Sequence, residues 1–393
     1  MKIVIHRGTR QIGGVATEFS TETTRILIDM GDEISTDPNF VPTPLDIPGI
    51  TDDNGTCDGV FFTHYHGDHM GQMTRIRKDI PLYAGALAKD VMGLSAERSP
   101  RKDQALCDRI RTLRTFQGGQ TMEIGDIRIT PWSIDHSACD SYMFLIEGQG
   151  KRILYTGDFR MHGFRGKALP KILKKIGKVD VLVTEGTTLS RPSEAPMTEY
   201  ALQRKVAEYM EAYKYVFVFC SSTNLERICA LAKAVPRGKY FLCDDYQKKL
   251  LQLMEKHWGA YSPLFRELKT VVYGDNILPR IQQRGCLMLV RDNWAFRQII
   301  PKFPKEESII LYSMWDGYRT RRDSTIPDFL ALGGGWQSLH TTGHASHQDL
   351  QRVVELSQAD LVIPMHSEAP EQLNNLCTKD KILMPQDGET IAI

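Results

Sequence analysis

Three histidines and one aspartate lie within six positions of the stretch THYHGDHMG, residues 63–71. They are His64, His66, Asp68 and His69, in a chain that has only 11 histidines among 393 residues. Imidazole nitrogens and carboxylate oxygens suit zinc, with manganese as the alternative where further oxygen ligands join them. A single tetrahedral ion does not readily take four ligands from one short loop. We therefore expect these residues to divide between two metal ions.

The residues around this loop indicate how the chain presents it. The preceding segment GVFFT has the apolar, β-branched and aromatic composition of a strand. Gly67 can adopt a positive φ, which would let the chain turn sharply just past that strand. We therefore expect a compact turn that directs all four side chains into one pocket.

Further candidate ligands follow other apolar runs. His136 lies in WSIDHSACDS, Asp158 in YTGDF and His366 in LVIPMHSE. A strand would deliver each of these residues to the edge of a sheet, although each taken alone is more often a turn residue. Together they supply the ligands that a pair of ions bridged by one carboxylate still requires.

The composition is that of a globular protein with a buried core: 41% of residues are hydrophobic and 25% are charged. No run of 18 apolar residues predicts a membrane span, and MKIVIHRGTRQIGG predicts a first strand, not a signal peptide. The eight cysteines form no CxxC pair, which favours buried free thiols in a reducing compartment. We therefore expect a cytoplasmic protein that does not bind membranes.

The pattern of elements changes near residue 195. Before it, short strands such as RILIDMG and VDVLVTE alternate with turns and a few helical stretches. After it, buried strands such as YVFVF and CLMLV alternate with helices, which is typical of a mainly parallel α/β sheet. We predict a primary domain in two parts, 1–194 and 336–393, and an inserted α/β domain at 195–335.

The ordered series HxHxDH, His, Asp, His resembles the metallo-β-lactamase superfamily. From residue 1 to about 370 the chain resembles the β-CASP nucleic-acid-processing branch, which includes ribonuclease J. The resemblance implies an α/β fold, an αββα sandwich with an inserted β-CASP cap, and two divalent ions, Zn²⁺ in preference to Mn²⁺. It implies one ion held by His64, His66 and His136 and a second held by Asp68, His69 and His366, with Asp158 bridging them.

Three further motifs narrow the resemblance to this branch. Glu185 in VLVTEGTT matches its acidic motif, His344 in TTGHASHQDL its GHAS-type motif, and His366 in IPMHSE its final motif. A two-ion centre suits phosphodiester hydrolysis, because it can grip both the attacking and the leaving oxygen. Asp68 is then expected to accept a proton from the attacking water. His344, held by Glu185, is expected to protonate the leaving 3′ oxygen or to steady its developing charge.

Candidate phosphate contacts lie in FCSSTNLERI, where a strand is followed by a polar cluster and a helix. Free N–H groups and hydroxyls at a helix start can bind an anion, yet the same residue types cap helices generally. The candidates are Ser221, Ser222, Thr223 and Asn224, with Ser346 of the GHAS motif.

The inserted region also carries positive charge and exposed-type aromatics. Residues 191–340 hold 22 Lys and Arg against 16 Asp and Glu, which permits a polyanionic partner. In SMWDGYRTRRD, Trp315 and Tyr318 beside Arg319 could stack bases. They could equally be a core tryptophan followed by a solvated turn.

These observations favour a two-metal-ion ribonuclease that acts on single-stranded RNA or another nucleic acid, by 5′→3′ exonucleolytic or endonucleolytic cleavage. A DNA nuclease of the same branch is the first alternative, because no sequence feature distinguishes recognition of the 2′-OH. A small-molecule hydrolase such as a lactonase or thioesterase is the second, and a non-catalytic scaffold the third. Ribonuclease J ordinarily continues into a C-terminal domain that we do not expect here. This departure leaves open another arrangement as a homo-oligomer or a narrower substrate.

Overall fold

The computed structural model describes residues 1–35, 37, 39–99, 103–377 and 381–393. They form two compact units. The first unit comprises Met1–Ile34, Val41–Ala195 and Gly343–Ile393, and the second comprises Ser35–Phe40 and Pro196–Thr342. The domain bounds that we inferred from the sequence, at 195 and 335, remain a prediction.

The strands of the described residues are short, between three and eight residues each. They are β1 (Lys2–Arg7), β2 (Ala16–Ser20), β3 (Arg25–Ile28), β4 (Gly59–Phe61), β5 (Leu82–Gly85), β6 (Arg114–Phe116), β7 (Met122–Ile124), β8 (Ile127–Ile134), β9 (Ser141–Gly148), β10 (Lys151–Tyr155), β11 (Val181–Glu185), β12 (Tyr215–Phe219), β13 (Tyr240–Cys243), β14 (Thr270–Val272), β15 (Cys286–Val290), β16 (Ser308–Tyr312), β17 (Trp336–Ser338), β18 (Leu361–Met365) and β19 (Thr390–Ala392).

Helices of four to fourteen residues connect them. They are α1 (Gly67–Met70), α2 (Ala86–Arg98), α3 (Gln104–Thr112), α4 (Leu169–Ile176), α5 (Glu199–Ala212), α6 (Leu225–Ala234), α7 (Asp245–Trp258), α8 (Leu278–Arg284), α9 (Trp294–Ile299), α10 (Asp316–Thr320), α11 (Ile326–Leu330) and α12 (His347–Ser357). Short 3₁₀ turns lie at Met73–Arg75, Gly166–Ala168, Pro263–Phe265, Asp275–Ile277, Ile300–Lys302, Lys305–Glu307 and Pro370–Asn375. No helix of the described residues has the length and apolar character needed to span a bilayer.

Two sheets pack face to face in the first unit. Their strand orders are β19-β1-β2-β3-β4-β5-β6 and β18-β11-β10-β9-β8-β7. Side chains alternate along β9, so Phe144 and Ile146 face the core between the sheets. Met143 and Leu145 face the opposite side, where α4 and α12 pack. On the other sheet α2 contacts β5 and β6. These layers are the predicted αββα sandwich.

The strands of the first unit bring several chain segments to one edge. β10, β11 and β18 run parallel to one another in the second sheet, and β8 runs the same way because β8 and β10 both pair antiparallel with β9. In the first sheet β3, β4 and β5 are parallel. The carboxyl ends of parallel strands share an edge. The residues that follow β8, β10 and β18 and those that end β11 therefore lie close together.

The second unit has one six-stranded sheet of order β14-β13-β15-β12-β16-β17. All five pairings are parallel, as the sequence predicted for this region. Strands β12, β15 and β16 are buried along their whole length, which explains why they are continuous apolar runs. Below the sheet the Arg227 guanidinium pairs with the Glu199 carboxylate at 2.6 Å, and both side chains are buried.

Candidate metal centre

The histidine-rich loop follows β4 and leads directly into a helical turn. Gly67 does not adopt the positive φ that would have let the chain turn sharply there. It is the first residue of α1 and the chain turns there as one short helical turn, because His66 in extended conformation precedes it. The four candidate side chains of residues 64–69 still converge, by this different backbone route.

The requirement for glycine lies instead at Gly31, in the segment that follows β3. A Cβ atom on Gly31 would lie 1.6 Å from the carbonyl oxygen of Asp68. The neighbouring Met30 N–H donates to the carbonyl oxygen of His69 at 2.8 Å. The loop is therefore held by backbone contacts that only a residue without a side chain permits at position 31.

Three histidines form the first cluster. The Nδ1 atom of His66 lies 3.1 Å from His64 Nε2 and 3.3 Å from His136 Nε2. His136 Nδ1 donates to the carbonyl oxygen of Gly343 at 2.6 Å, which leaves its Nε2 as the lone-pair nitrogen of the neutral ring. His64 Nδ1 lies 3.0 Å from the Thr63 hydroxyl. The arrangement points three imidazole nitrogens at one position.

Burial keeps this cluster uncharged. It lowers the pKa of His64 and of His136 well below the ordinary value, and it lowers the pKa of His66 to about 4. Neutral imidazole is the form that binds a metal ion. The three rings are therefore ready to bind a metal ion at neutral pH.

Two carboxylates and two histidines form the second cluster. His366 Nε2 lies 3.3 Å from Asp68 Oδ2, and His69 Nε2 lies 3.2 Å from Asp158 Oδ2. Asp158 Oδ1 lies 3.7 Å from His366 Nδ1. One ligand atom from each of the four residues lies within 4.8 Å of the others, and the same is true of the three-histidine cluster.

Residues that the sequence analysis did not single out orient these side chains. Asp29 Oδ2 accepts a hydrogen bond from His69 Nδ1 at 2.8 Å and another from the Thr63 hydroxyl at 2.8 Å. The Thr187 hydroxyl lies 2.7 Å from His366 Nδ1. Asp29 follows a strand in ILIDM, the same signal that drew attention to Asp158. Thr187 carries no comparable signal.

The second cluster concentrates charge inside the protein. Burial favours the neutral carboxyl of Asp158, but the imidazoles of His366 and His69 hold its pKa well below the ordinary value. The pKa of Asp68 is also lowered: burial opposes ionisation and His69 overcomes it. Burial opposes the charged form of His69, yet the carboxylates of Asp158 and Asp29 raise its pKa well above the usual range. The charged form of His69 therefore balances part of the carboxylate charge of this cluster.

The residues of both clusters fit divalent metal ions. Asp158 Oδ1 is buried and accepts no hydrogen bond from any described residue, and His69 Nε2 likewise lacks a well-aligned one. Each cluster offers only imidazole nitrogens and carboxylate oxygens, which are zinc and manganese ligands. Both clusters can therefore hold a metal ion, and the assignment of each residue as a ligand stays a prediction.

The candidate proton donor lies beside these clusters. His344 Nδ1 is 3.1 Å from Glu185 Oε2 and 3.5 Å from Asp158 Oδ2. Glu185 Oε1 accepts from the backbone N–H of Phe159 at 2.8 Å and of Ala345 at 3.4 Å. The His344 side chain keeps 22% exposure, against 1% or less for Asp158 and Glu185. Burial lowers its pKa, but Glu185 and Asp158 raise it above the ordinary value.

The predicted phosphate contacts lie in the second unit, between β12 and α6. The hydroxyls of Ser221 and Thr223 are 2.9 Å apart, and Ser222 accepts a hydrogen bond from Arg291 at 3.2 Å. Asn224 occupies the N-cap position of α6 without a capping hydrogen bond. Its Oδ1 atom is buried and unpaired among the described residues. Arg291, distant in sequence, could not have been found from the local motif.

Ser346 lies in the first unit as the N-cap of α12. Its hydroxyl accepts from the backbone N–H of Asp349 at 3.2 Å, and the Asp349 carboxylate accepts from the Ser346 N–H at 3.1 Å. This reciprocal pair is the ordinary capping box. A phosphate contact by Ser346 stays a prediction.

Comparison with known proteins shows which domain the chain resembles. The family model of the β-lactamase superfamily domain matches residues 24–216. This part of the chain therefore carries a domain of the β-lactamase superfamily. The sequence is similar to ribonuclease J of Mycoplasma genitalium, with 21% identity over 93% of this chain and 68% of that protein. It is similar to ribonuclease J of Helicobacter pylori, with 24% identity over 94% of this chain and 56% of that protein.

These relatives are consistent with the ribonuclease J-like, β-CASP branch of metallo-β-lactamase domains. The chain spans just over half the length of the Helicobacter relative. A solved structure, a protein of unknown function from Enterococcus faecalis V583, matches with a TM-score of 0.79 and 19% identity. The match covers 100% of this chain and 99% of that chain, and it supports the fold alone.

Proposed function

We propose that this protein is a two-metal-ion hydrolase that cleaves phosphodiester bonds of RNA. The observation that carries the proposal is the position of Asp158. Its Oδ2 atom lies 3.2 Å from His69 Nε2 in the second cluster, 4.0 Å from His136 Nε2 in the first and 3.5 Å from His344 Nδ1. A ligand set for two ions and a candidate proton donor thus meet around one carboxylate. The relatives named ribonuclease J support a hydrolase of the nuclease class with RNA as substrate.

The ions would be held by the two clusters. His64, His66 and His136 would hold one ion, Asp68, His69 and His366 the other, and Asp158 would contact both. Bound divalent ions lower the pKa of water and neutralise charge that develops on phosphate oxygens. We propose Zn²⁺ as the resident metal, because five of the seven ligands are histidines.

Asp68 and His344 have separate tasks in this proposal. The carboxylate of Asp68 remains ionised and accepts the proton of the attacking water. Glu185 fixes His344 through Nδ1 and raises the pKa of the ring above its ordinary value, which favours the protonated form. His344 delivers that proton to the leaving 3′ oxygen, and the backbone N–H groups that hold Glu185 keep the pair in place.

The second unit would contribute the phosphate contacts. Ser221 and Thr223 offer hydroxyls, and the unpaired Oδ1 of Asn224 shows that its side-chain amide does not cap α6. The Arg291 guanidinium, which is hydrogen-bonded to Ser222 and paired with the Asp244 carboxylate, lies at the same place. A site of this kind binds a terminal 5′ phosphate, which favours 5′→3′ exonucleolytic cleavage.

The test combines metal analysis with cleavage of matched oligonucleotides. We expect the purified protein to contain divalent metal and to cleave RNA, with a preference for 5′-monophosphate over 5′-triphosphate or 5′-hydroxyl ends. Asp158→Asn should abolish cleavage and lower the metal content, whereas Asp126→Asn, an exposed aspartate of the same unit, should change neither. Equal cleavage of matched DNA would show that the substrates include DNA as well as RNA. Hydrolysis of lactone or thioester substrates without any nuclease activity would overturn the proposal.

A further inference from the structure

Three aromatic side chains of the second unit are exposed in one place. Trp315, Tyr318 and Trp336 are 40%, 43% and 43% exposed. The rings of Trp315 and Tyr318 contact edge to face with centroids 5.4 Å apart. The guanidinium of Arg319 lies 5.1 Å from the centroid of the Trp336 ring. We call these four residues the aromatic patch.

Two elements of the second unit supply the aromatic patch. Trp315, Tyr318 and Arg319 lie at the start of α10 and within it, and Trp336 opens β17. β17 is the edge strand of the sheet and is exposed at all three residues. Trp315 is therefore not the core tryptophan that the sequence allowed. Its ring and that of Trp336 stay in contact with water, which is costly unless a partner covers them.

Contacts within the patch fix the rings before any partner arrives. A Cβ on Gly317 would lie 2.3 Å from the Trp315 ring, so the ring lies against the glycine backbone. The Tyr312 hydroxyl donates to the Trp315 carbonyl oxygen at 3.0 Å. Asp316 holds the Arg319 guanidinium through two hydrogen bonds of 2.7 and 2.8 Å. A ligand that stacks here loses little free energy to ordering the protein.

The chemistry of the patch favours a polyanion that also has flat aromatic groups. Arg319 stacks on Trp336, and Arg321 and Arg322 follow within three residues. Residues 191–340 around the patch carry a surplus of positive charge, 22 Lys and Arg against 16 Asp and Glu. Aromatic rings interleaved with arginine bind single-stranded nucleic acid, because every base has a π face and every linkage a negative phosphate.

We propose that the aromatic patch is a stacking surface for unpaired bases of single-stranded RNA. Trp315 and Trp336 receive bases on their exposed faces, and the exposed Arg322 contacts the phosphates that join them. The proposal rests on the proposed function for the choice of RNA, but the stacking itself requires no cleavage. It gives the second unit a means of holding a strand irrespective of base sequence.

Binding to the metal-loaded protein is measured with phosphorothioate-linked strands, so that cleavage does not remove the probe. The probes are fluorescein-labelled oligo(U) and oligo(A), followed by anisotropy, with a matched RNA hairpin whose bases are paired. We expect Trp336→Ala and Trp315→Ala each to weaken binding of the single strands by about 5- to 100-fold. Trp336→Phe should restore most of the affinity, because a ring remains. The hairpin stem should bind weakly and respond to neither alanine variant.

Trp294→Ala is the matched control. Trp294 is 78% exposed in the same unit and outside the patch, so its loss should leave the affinity unchanged. Unchanged binding by Trp336→Ala, or an equal loss in Trp294→Ala, would overturn the stacking surface. So would failure of the wild-type chain to bind any single strand, which would assign the patch to a protein partner.

The outcomes for the patch and for the proposed function can be separated. Tryptophan-dependent binding without any nuclease activity in the metal-loaded protein would leave the patch and remove the proposed function. Full nuclease activity with binding that does not depend on Trp315 or Trp336 would keep the proposed function and reject the stacking surface. Thermal unfolding of each variant, compared with Trp294→Ala, establishes that a loss of binding is not a loss of fold.

Discussion

Asp29 Oδ2 lies 2.8 Å from His69 Nδ1, and neither side chain is exposed to solvent. This contact orients the ring so that Nε2 faces the Asp158 carboxylate. Asp29 is thus a positioning residue behind a candidate ligand. Such partners commonly matter almost as much as the ligands that they orient.

We expect Asp29→Asn to lower metal affinity by about 10- to 100-fold while the fold is kept. The amide retains the shape of the side chain, but it removes the negative charge that favours one orientation and charge state of His69. Competition with a chromogenic chelator measures the affinity. Asp58→Asn serves as the control, because Asp58 is an exposed aspartate directly before β4. Unaltered metal affinity in Asp29→Asn would show that His69 needs no such support.

Two glycine variants test whether the lack of room for a Cβ atom, and not a position near the histidine-rich loop, makes a glycine necessary. Gly31→Ala should reduce metal content and activity severely, because its Cβ would lie 1.6 Å from the Asp68 carbonyl oxygen. Gly67→Ala should be tolerated, since a Cβ there meets nothing within 4 Å and the residue is helical. Metal content and thermal unfolding check both variants. Similar losses in the two would contradict the assignment of the close contact to position 31.

Removal of metal should destabilise the first unit as well as stop cleavage. The second cluster places Asp68 and Asp158 close together, and a bound cation would relieve the repulsion between these carboxylates. We expect a chelator to lower the melting temperature, and added Zn²⁺ to restore it together with activity. A melting temperature that does not respond to either treatment would argue against an occupied centre.

Glu18 should contribute stability that depends on pH. Burial raises the pKa of Glu18, but the hydrogen bonds from His6 and Arg25 lower it by more. The pKa of Glu18 therefore lies below the ordinary value. As pH falls, the Glu18 carboxylate is therefore protonated in the unfolded state before it is protonated in the folded state. Its contribution to stability is fully present above the ordinary glutamate pKa and is lost as pH falls through the lower pKa of the folded protein. Glu18→Gln should cost about 1–2 kcal/mol near pH 7. The difference from wild type should shrink towards acidic pH, which unfolding curves at several pH values will measure. A constant difference would contradict this assignment.

The buried Arg227–Glu199 pair should dominate the stability of the second unit. Arg227 also donates to the carbonyl oxygen of Thr341 at 2.9 Å, so its removal leaves a buried carboxylate and an unpaired acceptor. Arg227→Met should cost about 3–5 kcal/mol of unfolding free energy. Lys205→Met, which removes half of the exposed pair with Glu208, should change it by less than about 1 kcal/mol. Denaturant unfolding compares them, and equal effects would contradict the importance of burial.

The sequence determined which residues could carry chemistry and most of the elements that hold them. Strands buried on both faces, such as β9, β11 and β15, are unmistakable apolar runs, so they could be predicted. Strand β2, which contains Thr17 and Glu18, and the exposed strand β17 are not apolar runs, so they could not be predicted in this way. The histidines and aspartates at strand ends were found because chemistry restricts their types.

Only the tertiary structure decided how these residues meet. The helical turn at Gly67 and the close backbone approach at Gly31 depend on a segment more than thirty residues away in sequence. Asp29, Thr187, Arg291 and Trp336 gained their positions through contacts with residues distant along the chain. Local residue patterns record whether a side chain is apolar or reactive. They do not record which other part of the chain folding brings against it.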